Sequence, residues 1–270
     1  MKLLRFVLIP ILFLFIAALA FADISVHFLD VGQADAALII ADGEAMLIDG
    51  GSRSDSRFLY AYLKKLNIKN LKYAVGTHAH EDHIGGIPGA LNYAVAQKTF
   101  FPVLYFNGKT FADFARYAKT RGGGLEMPKI PSEVKLGSAT IVFIGPVFKY
   151  FDNINDSSIV VKIIYGRTAF LFTGDIERDA ELDIIKSKAD LKADVLKVAH
   201  HGSNTSTAKQ FLKKVNPKYA VISVGKNNRY GHPSKTVLSR LREAGVEVLR
   251  TDERGTIIIN SDGKSLSASY

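Results

Sequence analysis

The sequence contains no cysteine. That absence excludes disulfide bonding, thiolate nucleophiles, cysteine-ligated zinc and a lipid-modified cysteine near the N-terminus. Low-complexity stretches and recognisable linkers are also missing, so nothing in the chain marks a boundary between domains. With 270 residues it is a comfortable size for one α/β domain that buries its core without covalent staples. Dense basic runs are lacking too, although the net charge is +9. Charge spread in this way serves solubility, and it favours anionic partners such as nucleic acid, teichoic acid or phospholipid headgroups. Histidine is scarce, with seven in all, so their positions carry information.

The longest apolar run lies at the N-terminus. Lys2 and Arg5 make a positive leader, Phe6 to Phe21 is almost wholly apolar, and Ala20-Phe21-Ala22 has the small-x-small pattern of a cleavage site. Residues 1–22 read as a signal peptide, with a single mature domain over 23–270. The run is short for a bilayer span of about 20 residues, so no stable membrane span is expected after cleavage. Export to the periplasm, cell envelope or medium follows. No obligate protein partner is inferred.

Three of the histidines fall within Thr77-His78-Ala79-His80-Glu81-Asp82-His83, ahead of Ile84-Gly85-Gly86. The segment before it, Leu71 to Gly76, reads as a short buried strand, and the paired glycines suit a tight entry to a helix. A strand that ends by delivering imidazoles and carboxylates to one loop suits a divalent cation, because both groups bind borderline metals. By alternation His78 and His80 can clasp one ion, while Asp82 and His83 reach a second beside it.

Ile24–Leu29, Ala36–Ile40 and Ala45–Ile48 read as consecutive strands, followed by a helix over Ser54–Leu66 with apolar residues at helical spacing. After the histidine-rich loop come a helix over Gly89–Ala96, a strand over Thr99–Tyr105 and a helix over Phe111–Lys119. The second half has the same rhythm. Strands are expected at Thr140–Ile144, Ser158–Ile164 and Ala169–Phe172, then alternating helices and strands to Thr256–Asn260. Each half supplies a mixed sheet followed by helices, which implies a four-layer αββα sandwich of two mixed sheets. Hairpin-linked strands at the start of both halves disfavour a doubly wound parallel sheet.

Further ligands are expected at later strand ends. Phe170 to Asp175 is an apolar strand ending in a carboxylate, and Asp175 has lone pairs enough to bridge two cations. Leu196 to Ser203 repeats the arrangement with His200-His201-Gly202. One of these two histidines is expected to complete the ligand set of the second metal; His200, nearer the strand, is favoured as the ligand, and His201 as a proton donor or hydrogen-bond partner lining the site. Asp49, ending the third strand before Gly50-Gly51, is placed to orient a ligand histidine. In the polar loop from Asn227 to Ser234, His232 is a candidate to protonate a leaving group or meet an oxyanion. Arg229, Asn228 and Ser203 are candidates for substrate contact. Ser234 reads as a helix N-cap, and His27, inside the first strand, as structural.

Together these segments resemble the metallo-β-lactamase superfamily, through His78, His80, Asp82, His83, Asp49, Asp175 and the late His200/His201. Within it the chain resembles the soluble domain of ComEC-type competence proteins, through Leu29-Asp30-Val31-Gly32-Gln33-Ala34-Asp35, Leu171-Phe172-Thr173-Gly174-Asp175, Lys197-Val198-Ala199-His200-His201-Gly202-Ser203 and Tyr230-Gly231-His232-Pro233-Ser234. The resemblance implies a binuclear hydrolase holding two divalent cations. It also exposes a departure, since no histidine occurs between His83 and His200 where the superfamily usually has one. Asn155 or Asp156 is the expected substitute, and an oxygen-richer site makes manganese a credible occupant beside zinc.

Catalytic roles then fall to Asp82, His201 and His232, and the expected reaction is phosphodiester hydrolysis of DNA or RNA. A cell-envelope phosphodiesterase acting on phosphocholine or teichoic-acid esters is the enzymatic alternative. A non-catalytic nucleic-acid-binding module is the third reading. It calls for aromatic residues interleaved with basic ones, which Lys149-Tyr150-Phe151 matches only feebly.

Overall fold

The computed structural model describes residues 23–103, 105–147 and 152–270. Residues 1–22, where a signal peptide is expected, and the Lys149-Tyr150-Phe151 segment lie outside the described residues. Fifteen strands form two mixed sheets among the described residues. The chain enters through β1 (Ile24–Phe28), β2 (Ala37–Ala41) and β3 (Glu44–Ile48), an antiparallel meander. Helix α1 (Ser56–Lys65) then returns the chain to β4 (Asn70–Val75), parallel to β3. Short helices α2 (Glu81–Ile84) and α3 (Ile87–Tyr93) lead to β5 (Val95–Phe100), and α4 (Lys109–Arg121) leads to β6 (Leu125–Glu126).

The second sheet starts with the antiparallel run β7 (Ser132–Leu136), β8 (Ala139–Gly145), β9 (Val160–Tyr165) and β10 (Thr168–Phe172). It continues in parallel through β11 (Val195–Lys197), β12 (Tyr219–Ile222) and β13 (Glu247–Arg250). The crossovers are α5 (Arg178–Lys186), α6 (Lys209–Val215) and α7 (Lys235–Glu243). After the short α8 (Thr251–Arg254) the chain crosses back, and β14 (Ile257–Ser261) pairs with β1 while β15 (Leu266–Ser269) pairs with β14. The first sheet therefore runs β15-β14-β1-β2-β3-β4-β5-β6, and the second runs β13-β12-β11-β10-β9-β8-β7.

Alternation along each strand explains the layering. In β2, Ala37, Ile39 and Ala41 face the opposite sheet, whereas Leu38 packs under α1, α3 and α4. In β10, Phe170 and Phe172 point between the sheets, and Ala169 and Leu171 lie under α5, α6 and α7. Strands buried on both faces read as unbroken apolar runs, as both of these do. Phe28 stacks on Phe172 across the sheets, with ring centroids 5.5 Å apart. Burying each such ring contributes roughly 1.5–3 kcal/mol. The four-layer αββα sandwich expected from the sequence is the observed fold.

Three local expectations differ. The helix expected at Gly89–Ala96 ends at Tyr93, and Val95 already pairs with β4 through a donation from its N–H to Lys69 O. The following strand is accordingly Val95–Phe100 and not Thr99–Tyr105. The polar edge strands β6, β7 and β15 have too little apolar alternation to be visible in the sequence. The return of β14 and β15 to the first sheet is also absent from a reading in which each half builds its own sheet. No helix among the described residues is long and apolar enough to cross a membrane.

Candidate metal centre

The candidate site lies where β3, β4, β10, β11 and β12 run out at their carboxyl ends, the usual place for a site in parallel α/β sheets. Tight backbone packing makes the first half of it. Gly50 N donates to His83 O at 2.7 Å, Asp35 N to Asp82 O at 3.0 Å, and Gly86 N to Gly51 O at 3.0 Å. A Cβ on Gly86 would sit 1.9 Å from the carbonyl oxygen of Gly50, so only glycine permits this approach. In the second half Gly174, at φ +50°, turns Asp175 inward beside Ser158. His200 and His201 both occupy the left-handed region, at φ 49° and 51°, a strained conformation for such side chains.

His78 Nε2 and His80 Nδ1 converge to 2.9 Å. Beside them, His83, Asp82 and His201 present ligand atoms within 4.8 Å of one another, and so do His78, His83 and Asp175. Asp175 Oδ2 lies 3.3 Å from His83 Nε2 and 3.8 Å from His201 Nε2, and Asp82 Oδ2 is 3.2 Å from His201 Nε2. The outward nitrogens are fixed from behind. Asp49 Oδ2 accepts from His83 Nδ1 at 2.8 Å, and its two oxygens also accept from Thr77 N at 2.7 Å and Thr77 Oγ1 at 2.8 Å. His201 Nδ1 donates to Ser223 O at 2.9 Å. In each case the bond leaves Nε2 facing the site, the usual way in which an outer hydrogen bond sets a ligand tautomer.

Burial opposes charge on both His83 and His201. The carboxylates outweigh it: Asp175 and Asp49 raise His83, and Asp175 and Asp35 raise His201 to about 10. Buried beside His83, His78 is held well below the usual histidine range. Asp175 is held low despite its burial, chiefly by His83 and His201.

These groups fit divalent cations. Asp35, Asp49 and Asp175 are buried, and Asp82 is partly so, against the single buried ammonium of Lys197 in the cluster. Protons on His83 and His201 offset that excess of negative charge, and cations would displace them. His83 Nε2 and Asp175 Oδ1 are buried with no hydrogen-bond partner, so both have ligand capacity to spare.

Several sequence-level expectations change. His200 sits at the open edge of the cluster: its Nδ1 lies 3.3 Å from Glu177 Oε1, its Nε2 is 3.9 Å from Asp175 Oδ2, and it makes no contact with Asp82. It is His201, nearly inaccessible to solvent, that meets Asp82, because the left-handed turn rotates the second imidazole and not the first into the cluster. Asn228 spends its whole amide on its own loop, donating to Gly225 O and His232 O and accepting from the N–H groups of Tyr230 and His232. Ser203 is buried, its Oγ paired with Thr205. Neither side chain is free to meet a substrate. Arg229 is exposed and donates to the Tyr230 hydroxyl at 3.1 Å.

Burial, with His200 and His201 nearby, pushes His232 down to about 4, so it is neutral near pH 7. Asn155 Oδ1 is buried and unpaired while its amide nitrogen donates to Glu177, so its oxygen has acceptor capacity to spare. Asp156 instead accepts from Glu177 N and lines an adjoining cavity. His27 is structural, bonded to Tyr62 and Ser25, and Ser234 caps α7.

Residues 29–226 match the family model of the metallo-beta-lactamase superfamily. The chain belongs to that superfamily. Its similarity to ComE operon protein 3 of Bacillus subtilis is 31% identity, covering 90% of this chain and 34% of that protein. Competence protein ComA of Neisseria gonorrhoeae is 30% identical, with 84% of this chain and 31% of that protein covered. The chain thus spans about a third of the length of these relatives. Among solved structures, the metallo-beta-lactamase fold protein YhfI of B. subtilis superposes with a TM-score of 0.60 at 12% identity, covering 89% of this chain and 100% of that one. Igni18, a metallo hydrolase of Ignicoccus hospitalis, gives 0.54 at 19% identity, covering 87% and 98%. These likenesses concern the fold.

Sequence reasoning assigned no role to three polar residues of this superfamily domain. Asp35 and Lys197 form a buried pair behind His201, with Lys197 Nζ 2.6 Å from Asp35 Oδ2. Glu177 gathers Asn155, Asp156 and His200. A charge inside an apolar stretch, such as Lys197 after Val195-Leu196, is the available signal, because buried charges require partners.

Proposed function

We propose that this metallo-beta-lactamase domain is a binuclear metal-dependent phosphodiesterase that cleaves DNA or RNA after export from the cytoplasm. The observation that carries it is Asp175, buried between two donor groups. His78 and His80 converge on one side, Asp82 and His201 on the other, and His83 lies within reach of both groups. These six residues would hold two divalent cations, zinc or manganese, with Asn155 Oδ1 the oxygen that stands in for the missing histidine. When bound, such cations lower the pKa of water from 15.7 to about 7 and polarise a phosphoryl oxygen.

The chain's own groups do the rest. Asp49 and Thr77 hold His83 with Nε2 inward. Asp82, more open to solvent than the buried carboxylates Asp49 and Asp175, would orient the attacking water. Gln33 gives its amide oxygen to Gly225 N, so its amide nitrogen faces His232 Nδ1, 3.5 Å away. The ring proton of the neutral imidazole then resides on Nε2, where it can donate a hydrogen bond to the leaving oxygen rather than a proton. Arg229 adds a positive charge at the rim. The competence proteins that the chain resembles support nucleic acid as substrate, as does its basic balance.

A second reading has its own observation. A cavity of about 780 Å³ adjoins the centre, lined by Asp152, Asp156, Glu177, Asp179 and Asp183 together with Arg178. Such a lining suits a cationic headgroup better than a polyanion, and favours a phosphocholine-type ester. The test is a substrate panel on purified protein with added manganese or zinc. Degradation of plasmid or single-stranded DNA, abolished by EDTA, is the expected result. Intact DNA and RNA alongside cleavage of phosphocholine esters and bis-p-nitrophenyl phosphate would transfer the assignment to the second reading.

A further inference from the structure

The metal centre is split between the two sheets. His78, His80, Asp82 and His83 follow β4 of the first, whereas Asp175 and His201 follow β10 and β11 of the second. Something must hold the halves in register, because a displacement of about 1 Å is enough to spoil a site of this kind. Asp35, in the loop between β1 and β2, belongs to the first sheet. Lys197, the last residue of β11, belongs to the second. Their side chains are 5–6% exposed and meet at 2.6 Å, and Lys197 Nζ also donates to Val198 O at 2.9 Å.

Asp35 touches the ligand residues of both halves. Its N–H donates to Asp82 O at 3.0 Å, its Oδ2 lies 4.0 Å from His83 Nδ1, and its Oδ1 lies 3.2 Å from His201 Nδ1. His201 Nδ1 donates to Ser223 O at 2.9 Å, and the Asp35 carboxylate lies against the same nitrogen with Oδ1 making no hydrogen bond of its own. The proton is thereby held on Nδ1, and Nε2, once a cation displaces its proton, faces Asp82 and Asp175.

We infer that the Asp35–Lys197 ion pair is a clamp between the sheets that sets the position of His201 and supports the tautomer fixed by Ser223 O, so that the cation that Asp82, His83 and His201 would hold depends on it. Lys197 neutralises Asp35 enough for a carboxylate to be kept behind the histidine, and Asp35 passes the restraint on. Both are positioning residues, since neither reaches the substrate side. This inference rests on the metal-centre reading above.

A buried ion pair confers little net stability over an apolar replacement, whereas removal of one partner strands the other charge. That difference separates positioning from mere stability. In the full chain, Lys197→Met alone should lower the melting temperature of the metal-free protein. The double variant Asp35→Asn with Lys197→Met should recover most of that loss. Zinc titration by calorimetry, with no substrate present, then reads the site itself. The clamp predicts that the double variant keeps one zinc site unchanged while the other weakens on the order of 10–100-fold, the range for loss of an outer partner of a metal ligand. Two zinc sites of unchanged affinity in the double variant would overturn it.

A measurement on the unmutated protein guards against a variant that does not fold. Two-dimensional ¹H–¹⁵N spectra of the zinc-loaded chain should show His201 protonated at Nδ1 and metal-bound through Nε2, and the opposite tautomer refutes the clamp. If the unmutated protein binds no zinc at all, the metal-centre reading itself fails, a result distinct from either of these.

Discussion

At the level of single residues, adjacent histidines have been sorted by backbone conformation and not by distance from the strand. His200 is the closer to β11, yet the pair of left-handed residues swings His201 into the carboxylates and His200 toward Glu177. His201→Ala is therefore expected to lose one of two bound metal ions by elemental analysis and to lower hydrolysis at least 100-fold. His200→Ala should retain both ions. Two ions bound by the His201 variant would contradict the donor set. Asp49, ahead of Gly50-Gly51 at a strand end, turns its carboxylate onto Thr77 and His83, the contacts that an orienting residue would make. Asp35 escaped notice because a lone carboxylate in a loop has no local signature of burial.

At the level of elements, loops that carry the site are secured by groups remote from it. Glu181 on α5 is 1% exposed and accepts from the backbone N–H groups of Thr207 and Ala208. Burial pushes its pKa from 4.5 up to about 7, against the pull of those two donors. The folded chain then holds the proton more tightly than the unfolded one. Its contribution is complete below the unfolded value of 4.5 and is lost as pH rises through about 7. Urea denaturation across that window should show the unmutated protein losing on the order of 3 kcal/mol relative to Glu181→Gln. Parallel pH profiles for the two proteins would refute this.

Gly86 gives a second test at this scale. Gly86→Ala presses a methyl group against the Gly50 carbonyl. It should cost about 1–3 kcal/mol, the range for forced overpacking, and should weaken metal binding, because the same contact places His83. The paired glycines and the helix start were legible in the sequence. Their partner across the loop was not, since a close approach between segments 36 residues apart leaves no periodic trace.

At the scale of the whole molecule, the cations would join two sheets that otherwise meet through apolar side chains, the Asp35–Lys197 pair and hydrogen bonds such as that between the Thr168 and Ser261 hydroxyls. A ligand that binds only the folded form stabilises by about 2.7 kcal/mol at a concentration 100 times its Kd. For a chain of this size that amounts to roughly 5–10 °C in melting temperature. Differential scanning calorimetry with zinc or manganese against EDTA should show a rise of that order, and its absence would count against a metal centre at the junction. The same architecture explains why the strand expected over Thr256–Asn260 does not join the sheet of its own half. Its apolar alternation suits either sheet, and only the crossover after α8 selects β1 as the neighbour of β14.

The amino-acid sequence by itself determined the layers, because strands buried on both faces must be apolar throughout and the helices must cover them. It also determined the chemistry at the strand ends, since clustered imidazoles and carboxylates have few uses other than holding cations. Tertiary structure alone decided which of His200 and His201 turns inward, which polar loop residues are consumed by their own backbone, and which buried charges stand behind the ligands. Those outcomes depend on backbone torsions and on contacts between opposite sheets, which residue order along the chain does not encode in any local pattern.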